Sequence, residues 1–224
     1  MAANPSSSER DPQREAQRLA RKDRRHAQRR SAILEAARRL LVEEGIENFT
    51  VSAVAAVAEV SKPAVYYYFD SKEELVGALA RQVLRAELEA WDEAIGSAAT
   101  GWDATVAVLR CHVAHYAADL DSFRILYVWP QVLGICQRIA EADANTRRAN
   151  LIETLVSRLR QDQSSGRLHA ATQPRSLVAM ALATAHGLLC SQCGAQAATL
   201  TGGIQVAALC DAACDALRRA AAPT

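Results

Sequence analysis

Residues 50–72, TVSAVAAVAEVSKPAVYYYFDSK, decide the fold. Thr50 is a good helix N-cap, and Val54, Val57 and Ala58 follow it on one helical face. The pattern breaks at Glu59 and Val60, after which Ser61 can cap a second short helix running to about Phe69. Pro63 is tolerated there, because the first turn of a helix has no intrahelical partner for its N–H. Two short helices joined by a turn of three or four residues form a helix-turn-helix, whose second helix enters the major groove of DNA.

On the N-terminal side, the spacing predicts a helix over 29–44, with Ile33, Ala37, Leu40 and Leu41 as its apolar stripe. Gly45 stands where a left-handed C-terminal cap is wanted, and Ile46 and Phe49 plug a small three-helix core. On the C-terminal side, Ser71, Lys72, Glu73 and Glu74 read as a capping box. A long helix follows, with Leu75, Leu79, Val83, Ala86 and Ala90 expected on its buried side.

Gly45, Thr50, Val51, Val54, Ala55, Val60, Ser61, Tyr66, Phe69 and the run Lys72, Glu73, Glu74, Leu75 occur in a specific order and spacing. This pattern, over residues 31–75, resembles the DNA-binding signature of tetracycline-repressor-like (TetR) regulators. One position departs from it. The family usually has Gly where Glu59 stands, a place that commonly needs positive φ, and a non-Gly residue there costs on the order of 1 kcal/mol.

The resemblance implies site residues. Lys62 occupies a base-reading position, where its ammonium can donate to guanine O6 or N7. Pro63 and Ala64 could press on a thymine methyl, and Tyr67 lie flat against bases or sugars. Tyr66 and Tyr68 are expected to donate to phosphates, with Lys72 adding a charge. Thr50 reads as a phosphate contact, Ser52 as a groove contact, and Ser61 heads the reading helix in the same set. The alternative is that the three tyrosines only pack the domain, as Val65 and Phe69 are expected to do.

Composition agrees with an all-α chain. Half of the 224 residues are hydrophobic and only 5% are aromatic, with little alternation of β-branched residues. Residues 1–72 hold 13 Lys/Arg against 10 Asp/Glu, whereas residues 73–224 hold 13 against 15. Lys22, Lys62 and Lys72 all lie in the first part. No apolar N-terminal segment suggests export, and the most apolar stretch, 177–190, is too short to span a bilayer. A cytoplasmic protein with mainly reduced cysteines is expected. The expected organisation is a disordered or extended basic arm over 1–28, a helix-turn-helix domain over 29–72 and a ligand-binding and dimerisation domain over 73–224. The arm can be a solvated, partly helical extension or can reach DNA phosphates or the minor groove.

The second domain shows five further helical patterns after the long one: a stripe from Trp102 to Leu120, 123–133 interrupted by Pro130, 135–161, 174–194 and 203–219. No phosphate-cradling glycine loop, nucleophile elbow or zinc-hydrolase motif is present, so an enzyme is not expected. His112, His115 and Asp119 share a helix face, a spacing that can ligate metal but more often marks solvated residues, and no metal or cofactor is expected. Trp91, Trp102, His112, Tyr116, Phe123, Tyr127 and Trp129 are the candidate lining of an apolar effector cavity, to which the resemblance gives weight. Cys190, Cys193, Cys210 and Cys214 read as small buried hydrophobes, with redox or metal sensing, or a thiol oxidoreductase, as alternatives. The expected protein is a homodimeric, ligand-responsive repressor binding a pseudo-palindromic duplex operator, its C-terminal helices pairing into a four-helix bundle. The expected effector is a small, largely apolar molecule.

Overall fold

A computed structural model describes residues 12–136, 142–193 and 202–222. The described residues are helical with no strand, and the chain divides into two compact units, Met1–Leu75 and Val76–Thr224. No helix among them is long and apolar enough to cross a membrane.

The first unit holds α1 (Pro12–Asn48), α2 (Val51–Val57), α3 (Lys62–Tyr68) and the start of α4 (Lys72–Ser97). Its core is Ile33, Ala37, Leu41, Phe49, Val54, Val65 and Phe69, all essentially inaccessible, whereas Ile46 is half-buried. Gly45 has φ 74°, a conformation that a β-carbon disfavours, and kinks α1 before its last turn. Of the arm expected over 1–28, residues 1–11 lie outside the described residues and the rest is helical, as the N-terminal part of α1 from Pro12 onward. Its Ala, Arg, Gln and Glu residues are strong helix formers, and the buried stripe from Ile33 nucleates the helix they extend.

The second unit contains the rest of α4 together with α5 (Gly101–Ala118), α6 (Leu120–Phe123), α7 (Trp129–Val132), α8 (Ala142–Ser164), α9 (Pro174–Gln192) and α10 (Val206–Ala221). Helix α5 is central and packs against α8, α9 and α10. Leu109 and Val113 of α5 meet Ala181 and Ala185 of α9 and Cys210 and Cys214 of α10. Gly101 is obligatory, since a β-carbon there would run into the backbone of Arg158 and Leu159 in α8. Arg158 donates to the carbonyls of Ile95 and Ala98, satisfying the C-terminal end of α4. Residues 124–128 form a π-helical turn, and Trp129 N–H donates to the Arg124 carbonyl. This wider turn leads into Pro130, which has no N–H to continue an α-helical ladder.

Two periodicity expectations shift. On α4 the buried stripe leaves Ala86 and Ala90 after Val83 and follows Leu84, Glu87, Leu88, Trp91 and Ile95. The helix expected over 135–161 is described from Ala142 to Ser164; part of the expected range, 137–141, lies outside the described residues.

Candidate functional site

The reading head is built by its turn. Helix α2 ends with Val60 N–H donating to the Ala55 carbonyl at 3.0 Å and Glu59 N–H to the Ala56 carbonyl at 3.2 Å. This Schellman pairing needs a left-handed residue, and Glu59 supplies it with φ 53°, the one non-Gly residue at positive φ among those described. Thr50 Oγ1 accepts from Ala53 N–H at 3.1 Å and Ser61 Oγ from Ala64 N–H at 3.3 Å. Both hydroxyls are thus caps that keep their own protons free to donate outward.

Helix α3 sorts its residues by depth. Val65 and Phe69 are buried, while Ser61, Lys62, Pro63, Tyr66 and Tyr67 are exposed, Tyr67 at 72%. Ala64 and Tyr68 are half-buried, and Thr50 and Ser52 are exposed on α2 or at its cap. The structure therefore brings Lys62, Pro63, Tyr66 and Tyr67 to one open surface. Lys72 stands differently. Its ammonium donates to the Ile46 carbonyl at 2.9 Å and lies 5.8 Å from the Phe49 ring centroid, so it straps the start of α4 to the end of α1.

A second site lies in the other unit and is centred on Glu87, which is 1% exposed. Tyr116 donates to it at 3.0 Å, Tyr127 at 2.8 Å and Arg148 at 3.1 Å. His112 Nδ1 is 3.3 Å from the carboxylate, close enough for pairing but without hydrogen-bond alignment. Burial pushes the Glu87 carboxyl up, yet His112, the Arg148 charge and the Tyr127 hydroxyl outweigh it and hold the group below its usual range. Burial beside this carboxylate pushes the Tyr116 and Tyr127 hydroxyls up, and burial with His112 nearby pushes His186 down.

Aromatic rings close around the pair. Trp91, His112, Tyr116, Phe123, Tyr127 and His186 form one chain of ring contacts with centroids 4.9–6.0 Å apart. Trp91 Nε1 and Arg148 Nε are buried there without a partner. A cleft of about 180 Å³ lined by Leu84, Leu126, Tyr127, Gln131, Cys136, Asn145 and Arg148 leads to it. Five expected cavity residues therefore gather, and two do not enter these ring contacts. Trp102 lines a different cleft with Asp162 and Arg218, its backbone N–H donating to the Asp162 carboxylate, and Trp129 is buried after the π turn.

Glu87, Arg148 and His186 were missed by the sequence reading. Glu87 left a signal: it sits four residues before Trp91 and three after Leu84, an acid in an apolar stripe. Arg148 falls in a polar stretch whose spacing singles out no residue.

The cysteines are free thiols, and of the four expected to be buried only Cys210 and Cys214 are, whereas Cys193 is half-buried and Cys190, near the end of α9, is exposed. Burial pushes Cys210 up to about 12 and also raises Cys190, Cys193 and Cys214, the reverse of what a thiolate nucleophile needs. His112 is buried and His115 exposed, and the described residues hold no group of three His, Cys, Asp or Glu side chains placed for a metal.

Comparison with known proteins bears on both sites. A family model described as "Bacterial regulatory proteins, tetR family" matches residues 33–79. The HTH-type transcriptional regulator BetI of Rhizobium meliloti (strain 1021) is 30% identical over 113 residues, covering 50% of this chain and 54% of that protein. The chain thus spans about half the length of this relative. A TetR/AcrR-family regulator from Thermobifida fusca YX-ER1 superposes with TM-score 0.67 at 20% identity, covering 85% of this chain and 97% of that one. FadR from Bacillus subtilis, solved in complex with stearoyl-CoA, gives TM-score 0.65 at 20% identity, covering 84% and 96%. Residues 33–79 thus match the DNA-binding domain of tetR-family regulators, and the chain shares the fold of solved TetR-family proteins.

Proposed function

We propose that the chain is a homodimeric, cytoplasmic repressor that releases a pseudo-palindromic operator when a small molecule binds its second unit, and that it is not an enzyme. The observation that carries the DNA reading is the sorting on α3, where Lys62, Pro63, Tyr66 and Tyr67 face out while Val65 and Phe69 anchor the helix. Lys62 reads a base edge; Ser52, Pro63, Ala64 and Tyr67 contact the groove; Thr50, Ser61, Tyr66 and Tyr68 serve phosphates. Lys72 serves mainly as a strap. The dimer reading rests on α9 and α10, whose exposed positions Ser176, Met180, Ala183 and Gly187, and Ala208, Ala212 and Ala216, recur every three or four residues with mostly small side chains.

The effector reading rests on the Glu87 cluster. A charged pair inside an aromatic shell, with unpartnered donors and an open cleft beside it, suits a largely apolar molecule carrying one polar end. Release follows if that molecule binds better to the conformation that holds DNA poorly. The raised thiols favour neither the sensor nor the oxidoreductase alternative.

The test is a pair of binding titrations with Lys62→Ala, on a duplex selected by the full chain and on random duplex. A loss of roughly 1–3 kcal/mol on the selected duplex and much less on the random one is expected. Equal losses would make Lys62 a phosphate anchor, and failure of the wild-type chain to select any duplex would end the DNA reading. Ala208→Glu is expected to lower the dimer fraction in sedimentation.

A further inference from the structure

We propose that the N-terminal part of α1 is a second DNA-contacting surface, a rigid cationic rail gripping phosphates that flank the helix-turn-helix footprint. The inference rests on the DNA-binding reading above. Residues 13–29 are exposed throughout, and residues 13–30 carry eight Lys/Arg against Glu15 and Asp23. Arg18, Arg21, Lys22, Arg25 and Arg29 recur at three- and four-residue steps, which puts them on one side of the helix. None of these five is engaged in an ion pair among the described residues.

The rail is fixed to the reading head. The His26 ring lies 4.7 Å from Tyr68 and 5.8 Å from Tyr67, and the Arg30 guanidinium lies 4.8 Å over the Phe69 ring. From His26 back to Arg14 a helix extends about 18 Å at 1.5 Å per residue. That length spans roughly five base pairs at 3.4 Å each. The chemistry selects nucleic acid over other acidic surfaces. A membrane-binding helix needs an apolar face opposite its charges, and Leu19 is the only large apolar residue from 13 to 30. Guanidinium groups present paired donors suited to phosphate oxygens. Unpaired cations along one helix side destabilise it through mutual repulsion, and phosphates remove that penalty.

The experiment uses the full chain with Arg18→Gln, Arg21→Gln and Arg25→Gln combined, Gln keeping helix propensity. Anisotropy titrations over a salt series would compare wild type and variant on a duplex selected by the wild type, with flanks of roughly ten base pairs and after trimming to the protected core. Losing three phosphate contacts should flatten the salt slope by about 2.7 per bound protomer, so that wild type loses roughly 40-fold more affinity than the variant between 50 and 200 mM salt. Trimming should lower the affinity of the wild type clearly more than that of the variant, which keeps only Lys22 and Arg29 of the five. The corresponding triple Lys variant should keep the wild-type slope, which separates lost charge from lost helix. An unchanged slope in the Gln variant, or an equal loss for both proteins on trimming, would overturn the rail. Absence of any selected duplex would instead overturn the DNA-binding reading itself.

Discussion

Removing one half of the Glu87–Arg148 pair should destabilise the second unit more than removing both. Glu87 keeps 1% exposure and the Arg148 side chain 29%, so the two single losses are unequal. Stranding one member of a buried pair costs about 3–5 kcal/mol. Arg148→Met leaves the deeper charge unpaired and is expected near 4 kcal/mol, and Glu87→Gln near 3 kcal/mol, with both magnitudes about that size. The double variant strands no charge, and Tyr116 and Tyr127 can still donate to the amide oxygen, so it should cost no more than the milder single change. That is a coupling of about 4 kcal/mol or more. Urea unfolding followed by tryptophan fluorescence suits the test, because Trp91, Trp102 and Trp129 all lie in Val76–Thr224. The pH dependence gives a second reading. With Arg148 present the Glu87 carboxyl is held below its usual 4.5, so its contribution is full above that pH and is lost as pH falls through the lower folded-state value. In Arg148→Met the lowering by the Arg148 charge is gone while the burial that raises the group remains, so its folded-state value moves up and acid costs the variant less than the wild type. The deficit of the variant against wild type should therefore shrink between pH 8 and pH 5. His186 is depressed by burial and in part by the Arg148 charge, so its contribution is full above its usual 6.5 and is lost as pH falls below it; the variant lacks the Arg148 part, loses less, and its deficit shrinks in the same direction. Additive single costs, or a deficit independent of pH, would refute the reasoning.

At Glu59 a ranking is expected: Gly and Asn at least as stable as Glu, and Val less stable by about 1–2 kcal/mol, because β-branched side chains tolerate φ 53° worst. Thermal unfolding would show it, and equal stability for Val and Gly would argue against the left-handed turn. Gly101→Ala should destabilise by about 3 kcal/mol, since the added methyl group meets helix backbone and not a movable side chain. Cys190→Ala with Cys193→Ala should leave effector release and peroxide response unchanged, whereas a peroxide-dependent loss of DNA binding that vanishes in this variant would restore the sensor reading.

What the sequence by itself determined was local. The order Thr50, Val54, Ser61, Phe69, Ser71 specifies caps and buried positions within one or two turns, and the hydroxyls of Thr50, Ser61 and Ser71 all accept the N–H bonds that spacing implies. Glu59 was legible as a strained position only through the family resemblance, whose pattern has Gly there. Periodicity also found Tyr116 and Phe123, because an aromatic residue on an apolar stripe is buried wherever the stripe packs. Only the tertiary structure decided partners. Glu87 and Arg148 lie 61 residues apart, and nothing local in α8 tells a solvated arginine from one reaching a buried carboxylate. The bond from Lys72 to the Ile46 carbonyl, 26 residues away, is likewise invisible to local spacing. Residues 12–28 were read as an arm because they have no core of their own. Their helix borrows its nucleus from the buried stripe that begins at Ile33, and a composition-based reading of the arm alone cannot see that nucleus.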